Sequence, residues 1–413
     1  MAPLLPVADA RAAVLAAVAG PLAAERVPLE DALGRVLAVD LVSSEDVPGW
    51  DNSAMDGYAV RADDTDDASA AAPATLRLAG ESRAGAPAEA TLGAGEAFGI
   101  STGAVVPDGA DAVVRVEDTV ASSAEVSVNV EVEPGRDIRR AGEDIRSGDT
   151  VLRTGAVLGS AELGVLASIG IAEPECARRP TVAIVSTGDE LLAPSEPMRS
   201  GGVRNSNAYT LPALARFAGA DVVSVERCPD DPEATRDAAA RAAQADIAVF
   251  CGGVSVGDHD HVKEAFAAAG VVERFWGVAL RPGKPTWFGT HEGGLAFGLP
   301  GNPVSAVVTF ILFVRPALRA LQGASPDLDR IEVVLADAVP RMERRDQAVR
   351  CGLSVTAEGW LATPTGPQGS HVLTSMLGAD ALIVVEAGTE PASAGSRVEA
   401  ELLRVVSGIN EQL

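Results

Sequence analysis

Three glycine-rich loops carry side chains that could bind an anion together with a metal ion. Their sequences are STGDEL at 186–191, GGVSVGDHD at 252–260 and GLPGNPVS at 298–305. Glycine exposes backbone N–H groups to phosphate oxygens, and a helix that begins at such a loop favours negative charge at its N-terminus. The carboxylates of the first two loops are oxygen ligands of the kind that Mg²⁺ prefers. The loops therefore predict a site for a phosphorylated ligand and Mg²⁺.

Each loop by itself also has a simpler structural explanation. The segment 186–191 could be a turn followed by a helix cap, and Asp231 before Pro232 fits an ordinary helix N-cap. A capping role does not exclude a metal ligand. His259 and His261 raise the alternative of zinc, but no third soft ligand is near them in the sequence, which favours Mg²⁺.

Two cations lie on a stiff turn, RPGKP at 281–285, which precedes the third glycine loop. Lys284 is one of only two lysines in a chain whose net charge is −25. A concentrated pair of cations in such an acidic chain predicts an anion-binding pocket. The alternative, a pair of plain surface turns, is the less favoured interpretation.

The composition excludes several classes of partner. With a net charge of −25 and a pI of about 4.5, the surface repels nucleic acid and anionic membranes. The four cysteines form no C-x-x-C motif, which predicts free thiols in a reducing compartment. The N-terminus lacks signal-peptide features, and the longest apolar stretch, 304–314, is too short to span a bilayer. We therefore expect a soluble, cytoplasmic protein.

An alternation of strands and helices must position the glycine loops. Apolar runs predict strands at 181–186, 221–225, 247–251 and 294–298, and helical periodicity predicts helices at 207–217, 232–244, 262–269 and 304–321. This order is typical of a parallel sheet with helices on both faces, which is a three-layer α/β domain. Ligands bind such sheets beyond the carboxyl ends of the strands, where the glycine loops lie.

The remaining sequence predicts three further parts, so the fold class is multidomain α/β plus β. Helical and mixed patterns at 7–45 and 141–176 predict a stalk domain made of 1–45 plus 141–176. Short β-type runs predict a small inserted domain at 46–140, as in the alternating segment 126–132. The α/β domain would occupy 177–325, and 329–413 would form a C-terminal β-barrel-like domain.

Eight motifs, taken in order, resemble the molybdopterin molybdenumtransferase family, which includes the E domain of gephyrin. They are DNSAMDGYAVR at 51–61, STGAVVPDGADAVV at 101–114, DIRRAGEDI at 137–145, STGDEL, GGVSVGDHD, RPGKP, GLPGNPVS and GPQGSH at 366–371. Alone, the N-terminal motifs would be interpreted as turns. Together the eight cover nearly the whole chain, which makes the resemblance far more specific than any one glycine loop.

The resemblance implies an elongated four-part subunit and a homodimer whose site lies between the α/β domain of one subunit and parts of the other. It also implies a reaction in which adenylated molybdopterin and molybdate, with Mg²⁺, give molybdenum cofactor and AMP. The residues implied in catalysis are Asp56, Thr102, Glu190, Asp231, Asp260 and Lys284, of which Glu190, Asp231 and Asp260 are implied to hold the metal. Those implied in substrate binding are Gly252, Gly253, Ser255, Gly257, Arg281, Pro285, Gly301, Asn302, Ser305, Arg350 and Ser370.

Molybdate is a tetrahedral dianion, and the cations and hydroxyls of this set suit it. Two positions depart from the family pattern. Gly277 stands where many relatives carry lysine, and Arg281 replaces a lysine, which keeps the charge but changes the donor geometry.

Two alternative functions stay open from the sequence. Molybdopterin adenylyltransferases resemble only residues 180–323, so the β-type regions with their own motifs argue against that activity. A non-enzymatic scaffold of the gephyrin type is the other alternative, although the sequence shows no long linker and no second enzymatic domain.

Overall fold

The computed structural model describes residues 3–254, 261–357 and 359–403. The N-terminal part is mostly strand. Its elements are α1 (Val7–Ala16), β1 (Ala24–Arg26), β2 (Leu41–Val42), β3 (Asn52–Ser53), β4 (Gly57–Val60), β5 (Ser69–Ser82), β6 (Glu96–Ile100), β7 (Ala112–Arg115), β8 (Thr119–Ala121), β9 (Glu125–Val130), β10 (Ile138–Arg139), β11 (Thr150–Leu152), α2 (Ser160–Ser168) and β12 (Glu175–Ala177). Short 3-10 turns lie at Leu29–Asp31, Ala62–Thr65 and Val116–Asp118.

A six-stranded sheet in the order β7-β4-β6-β5-β9-β8 forms the middle of this part. Val126 and Val128 on β9 are fully buried in its core, while Ser127 between them is only partly buried. The alternation of valine and polar residues along this segment therefore does mark a half-buried strand.

The helical prediction for residues 7–45 is correct only for α1. Beyond it, β1 pairs with β12 and β2 pairs with β11, so the chain is extended on both sides of a single 3-10 turn. The helical spacing from Leu29 to Val36 is misleading because Leu33 is 61% exposed and Gly34 has a φ of +73°. Packing against the second segment, through residues such as Leu158 and Leu166, overrides the local pattern.

The middle of the chain is an α/β unit. Its elements are β13 (Thr181–Thr187), β14 (Leu191–Leu192), β15 (Val203–Arg204), α3 (Asn207–Phe217), β16 (Asp221–Cys228), α4 (Pro232–Ala242), β17 (Ile247–Cys251), α5 (Val262–Ala268), β18 (Val272–Trp276), β19 (Leu280–Arg281), β20 (Trp287–His291), β21 (Gly294–Leu299), α6 (Pro303–Thr309) and α7 (Arg315–Leu321). A π-helical turn, Phe310–Val314, joins α6 to α7.

The main sheet of this unit has the order β16-β13-β17-β21-β20-β18. The strands β16, β13, β17 and β21 are parallel, as predicted, and β20 and β18 add an antiparallel edge that the sequence patterns did not predict. Both faces are covered, since Val182 and Ile184 pack into one hydrophobic core and Ala183 and Val185 into another. The sheet is therefore mixed and parallel-rich.

The continuous helix Pro303–Leu321 is 19 residues long and apolar enough to cross a membrane by length and composition. It agrees with the helix predicted at 304–321 and extends beyond the apolar run 304–314. However, 89% of its most apolar window is buried inside the protein. That burial is typical of the central helix of a folded core.

The C-terminal part is a closed barrel. Its strands are β22 (Arg330–Leu335), β23 (Asp346–Thr356), β24 (Gly359–Pro364), β25 (Ala381–Val385) and β26 (Arg397–Leu402), with a 3-10 turn at Leu373–Met376. The pairings run β23-β24-β22-β26-β25 and return to β23, which closes five strands into a ring. The short strand β19 pairs with the first two residues of β23, so the α/β unit and the barrel share backbone hydrogen bonds.

A partly buried carboxylate, that of Asp246, fixes the start of β13. It accepts two hydrogen bonds from the Arg178 guanidinium, at 2.8 and 2.9 Å, and two more from the backbone and hydroxyl of Thr181, both at 2.7 Å. Burial by itself raises the pKa of Asp246, but these hydrogen bonds outweigh it and the pKa lies below its ordinary value of 3.8.

Asp246→Asn is expected to lower the free energy of unfolding by about 2 kcal/mol at pH 7. Because the folded pKa is depressed, the wild-type advantage should be complete above pH 3.8 and vanish as the pH falls through the folded value. Urea unfolding at several pH values measures this difference in the free energy of unfolding. Asp221→Asn is the matched control, since Asp221 is 59% exposed and 3.8 Å from Arg179, and it should cost less than about 0.5 kcal/mol. Equal losses in the two variants would contradict the assignment.

Candidate active site

A cavity of about 450 Å³ lies beyond the carboxyl ends of the parallel strands. Its walls are the loops that follow β13, β16, β17 and β21, together with the start of α3. This is the edge at which α/β sheets bind ligands. Five of the residues predicted from the sequence line it, namely Glu190, Gly252, Gly253, Gly301 and Asn302.

The floor of the cavity is polar. The oxygens Ser186 Oγ, Thr187 Oγ1 and Asn207 Oδ1 are buried and have no hydrogen-bond partner among the described residues. The Asn207 amide nitrogen donates to the Gly301 carbonyl at 2.8 Å, which fixes which end of the amide is the oxygen. Buried polar atoms without partners are costly, and they indicate a surface that a polar ligand completes.

Sequence reasoning included Ser186 and Thr187 in the STGDEL loop but did not place Asn207 in the site. Ser206 or Asn207 suggested only a helix cap for α3, and neither makes a side-chain capping bond. Instead, the Asn205 side chain accepts from the backbone N–H of Ala208 at 3.1 Å. The available signal was a third polar residue, Asn207, inside the first turn of the helix, where capping does not require it.

Two glycines bring the backbone close to the β13 loop. Gly252 has a φ of +96°, and a Cβ there would lie 2.8 Å from both the carbonyl and the hydroxyl of Thr187. Gly253 has a φ of +65°, and its Cβ would lie 2.8 Å from Val262. Only glycine fits these positions without displacement of a neighbour.

Carboxylates line the opposite wall of the cavity. Glu190 and Asp230 both face it. The loops that carry them are joined, because the backbone N–H of Asp230 donates to Asp189 and that of Asp189 donates to Asp230, both at 3.3 Å. Asp231 is the N-cap of α4, as predicted, and accepts from the backbone N–H of Ala234 at 2.8 Å. The cavity-lining aspartate of this pair is thus Asp230.

Three predicted residues, Ser255, Gly257 and Asp260, lie outside the described residues. Within residues 3–254, 261–357 and 359–403, no three His, Cys, Asp or Glu side chains are grouped so that they could hold a metal ion. The predicted set of Glu190, Asp231 and Asp260 therefore stays a prediction from the resemblance.

The other predicted binding residues lie on neighbouring segments of the α/β unit and the barrel, and we call this set the cation junction: Arg281, Lys284, Pro285, Ser305, Arg350 and Ser370. The 281–285 turn packs on α6, since a Cβ at Gly283 would lie 2.7 Å from Thr309. Strand β19, which ends at Arg281, pairs with β23, which carries Arg350. The Val304 N–H donates to the Ser370 carbonyl at 3.3 Å, next to Ser305.

Arg350 is the most unusual residue of the cation junction. Its side chain is fully buried, and burial lowers the pKa of its guanidinium. Its Nη1 atom has no hydrogen-bond partner within the described parts of the chain, and no carboxylate there forms an ion pair with it. A buried cation without a counter-ion is strongly unfavourable, so this position is suited to binding an anion.

Arg281 and Lys284 are exposed on their turn, whereas Ser305 is only 4% exposed. Residues Gly301 and Asn302 line the cavity, and Ser305 follows them by one helical turn. The segment 301–305 therefore links the cavity to the cation junction.

Asp56 and Thr102 lie together in the N-terminal part. Asp56 accepts hydrogen bonds from the Thr102 backbone N–H at 2.7 Å and from its hydroxyl at 3.1 Å. Both are exposed, and neither lines the cavity within this chain.

The cysteines are free thiols, as predicted. Cys251 lies at the end of β17 beside the cavity, and burial raises its pKa to about 12. It is therefore a protonated thiol and a poor nucleophile at neutral pH.

Comparison with known proteins covers most of the chain. Family models match the MoeA N-terminal region (domain I and II) at residues 5–170, a probable molybdopterin binding domain at 183–320, and the MoeA C-terminal region (domain IV) at 332–403. The fold is similar to a solved molybdopterin biosynthesis MoeA protein from Pyrococcus horikoshii, with a TM-score of 0.83 and 30% identity over 97% of this chain and 100% of that chain.

Curated relatives agree with these matches. A molybdopterin molybdenumtransferase from Haemophilus influenzae is 37% identical over 96% of this chain and 98% of its own length. Molybdopterin molybdenumtransferase 2 from Mycobacterium tuberculosis is 38% identical over 90% of this chain and 93% of its own length. The chain therefore belongs to the molybdopterin molybdenumtransferase family.

Proposed function

We propose that the protein inserts molybdate into adenylated molybdopterin, with Mg²⁺-dependent release of AMP, in molybdenum cofactor biosynthesis. Family membership makes it a transferase of this biosynthesis. The observation that carries the detailed proposal is the segment 301–305, which joins an acidic and polar cavity to a cationic junction. The reaction needs both a nucleotide-and-pterin site and an oxyanion site, and the cavity and the cation junction that this segment connects would supply them.

The cation junction would hold molybdate. Arg350 offers the unpartnered N–H groups of Nη1, and Arg281 and Lys284 have no carboxylate partner within the described residues. Ser305 and Ser370 add hydroxyl donors at the start of α6. A dianion bound there gains charge-assisted hydrogen bonds and the favourable end of the helix dipole. These residues orient the oxyanion and balance its charge.

The cavity would hold the adenylated pterin, with Mg²⁺ between its acidic wall and the pyrophosphate. Glu190 and Asp230 supply carboxylates, and the buried oxygens of Ser186 and Thr187 lie in the same cavity. An all-oxygen set of this kind fits Mg²⁺. Asp231 and Asp260 complete the ligands that the family resemblance implies. Bound there, the metal would neutralise charge on the pyrophosphate being cleaved.

The proposal includes a cytoplasmic homodimer that has no nucleic-acid or membrane partner. Asp56 and Thr102 do not line the cavity of their own chain, so a second subunit would have to present them to it. The subunit would keep the four-part division, with 1–45 plus 141–176, 46–140, 177–325 and 329–413 as its domains.

The alternative functions gain no support from the comparisons. An adenylyltransferase would require only the α/β part, whereas family models also match residues 5–170 and 332–403. A scaffold without activity does not require an arginine such as Arg350, which is buried with no carboxylate partner among the described residues.

The deciding experiment measures AMP release from adenylated molybdopterin and Mg²⁺, with and without molybdate. We expect release that depends on both molybdate and Mg²⁺. ATP consumption on free molybdopterin in place of AMP release would instead identify an adenylyltransferase. No activity in either assay would favour the scaffold alternative, and the transferase proposal would be wrong.

A further inference from the structure

We propose that Ser375 is a positioning residue that holds the guanidinium of Arg350 at the angle needed to bind the oxyanion, without neutralising its charge. This inference rests on the proposed function of the cation junction. It assigns a role to a residue in the turn after the GPQGSH motif, which neither the motif nor the composition singles out.

The Ser375 hydroxyl has a fixed direction. Its oxygen accepts a hydrogen bond from Arg350 Nε at 3.1 Å, and its proton is donated to the Val372 carbonyl in the same 3-10 turn. Because the hydroxyl proton is committed to that carbonyl, a lone pair of the oxygen must face the guanidinium. Ser375 is itself 9% exposed, so solvent does not compete strongly for this contact.

The remaining acceptors on Arg350 are also neutral. Nη2 donates to the carbonyls of Pro367 at 3.1 Å and Gly369 at 3.4 Å. A guanidinium has five N–H groups in one plane. One at Nε and two at Nη2 are therefore occupied, and both that remain are on Nη1. The planar group cannot rotate without breaking one of these bonds, so Nη1 points in one direction only.

Neutral acceptors hold the arginine but leave its positive charge uncompensated. A carboxylate at position 375 would orient the side chain equally well, yet it would form an ion pair and compete with an incoming anion. A hydroxyl and two carbonyls avoid that competition. Serine at position 375 therefore orients the guanidinium without neutralising its charge. An arginine that binds an anion requires both an orientation and an available charge.

The loop that supplies these acceptors also touches the other side of the junction. The Ser370 carbonyl, one residue after Gly369, accepts from the Val304 N–H at the start of α6. Arg350 and the start of α6, near Ser305, are thus both hydrogen-bonded to the same short loop. A loosened Arg350 would lose its alignment with the helix as well as its own hydrogen bond.

The test compares Ser375→Ala and Ser375→Thr in the full chain. We expect Ser375→Ala to raise the KM for molybdate about tenfold, with kcat at saturating molybdate and the KM for adenylated molybdopterin nearly unchanged. Ser375→Thr, which keeps the hydroxyl, should restore the wild-type KM. As a readout independent of turnover, the rise in Tm on adding molybdate should shrink in Ser375→Ala and return in Ser375→Thr.

Two controls separate positioning from general support of the fold. Thr365→Val removes a hydroxyl that, among the described residues, bonds only to the backbone carbonyls of Arg350 and Ser375, so it should leave the molybdate KM unchanged. In an Arg350→Lys background, which lacks Nε, Ser375→Ala should have no further effect on that KM. Ser375→Cys keeps the volume with a poorer acceptor, and it replaces Ser375→Ala should that variant fail to fold.

An unchanged molybdate KM in both Ser375→Ala and Ser375→Cys would overturn the proposal, as would an equal effect in the Arg350→Lys background. These outcomes differ from a failure of the proposed function. In that case the wild type would release no AMP in response to molybdate, while its Tm shift with the anion would still report on Ser375.

Discussion

Arg350→Ala is expected to raise the KM for molybdate by about 100-fold or more, while the KM for adenylated molybdopterin changes little. The substitution removes a fully buried cation whose Nη1 N–H groups have no hydrogen-bond partner among the described residues. Two charge-assisted hydrogen bonds of about 1.5–3 kcal/mol each are lost with it, and about 1.4 kcal/mol corresponds to a factor of ten. Steady-state AMP release over a series of molybdate concentrations measures the change.

Two further variants serve as controls for this result. Arg350→Lys keeps the charge but loses the planar fork, so its molybdate KM should fall between those of the wild type and the alanine variant. Arg397→Ala removes another barrel arginine, which is 63% exposed and paired with Glu332, and should have no effect. A normal molybdate KM in Arg350→Ala would place the oxyanion elsewhere.

Glu401→Ala is expected to destabilise the protein by about 3–5 kcal/mol. Glu401 is 4% exposed. Its carboxylate accepts hydrogen bonds from three arginines, Arg11 at 3.3 Å, Arg315 at 2.6 Å and Arg330 at 2.7 Å. Without its carboxylate these guanidiniums lose a shared counter-ion. Burial already lowers the pKa of Arg11, and Glu401 is the largest influence that opposes this. Urea unfolding, followed by fluorescence of the four tryptophans, measures the loss.

Glu399 provides a matched control on the same strand. Its side chain is 77% exposed and forms one ion pair in the described structure, with Arg330 at 3.3 Å. Glu399→Ala should therefore cost less than about 1 kcal/mol. Similar losses in the two variants would mean that the network contributes no more than a surface ion pair.

Local sequence patterns were sufficient to predict the parallel strands of the main sheet and the helices that cover it. The predicted helix 207–217 coincides with α3, and Asp231 caps α4 as its sequence suggested. These features depend on nearby residues, through apolar periodicity and side-chain bonds to the next turn. The glycine loops at the strand ends followed from the same reasoning, because strand ends converge in a parallel sheet.

The β-barrel-like character of the C-terminal part was predicted, but several other features that depend on distant residues were not. Strand β18 has three exposed residues in succession, so it lacks the pattern of a buried strand and is held by pairing with β20. Strands β23 and β24 become recognisable only once the barrel closes. Similarly, no local signal distinguishes Arg350 from the other arginines. Its lack of a counter-ion is a property of the folded barrel, and only the family resemblance pointed to it.

The ion pair between Arg11 and Glu401 joins residues 390 positions apart in the chain. A ribosome adds about 5–20 residues per second, so α1 is made roughly 20–80 s before its acidic partner exists. During that interval Arg11 has no Glu401 to pair with, and β26 is missing from the barrel. Because of this order of synthesis, the barrel closes, and α1 docks against β26, only at a late stage in the folding of each new chain.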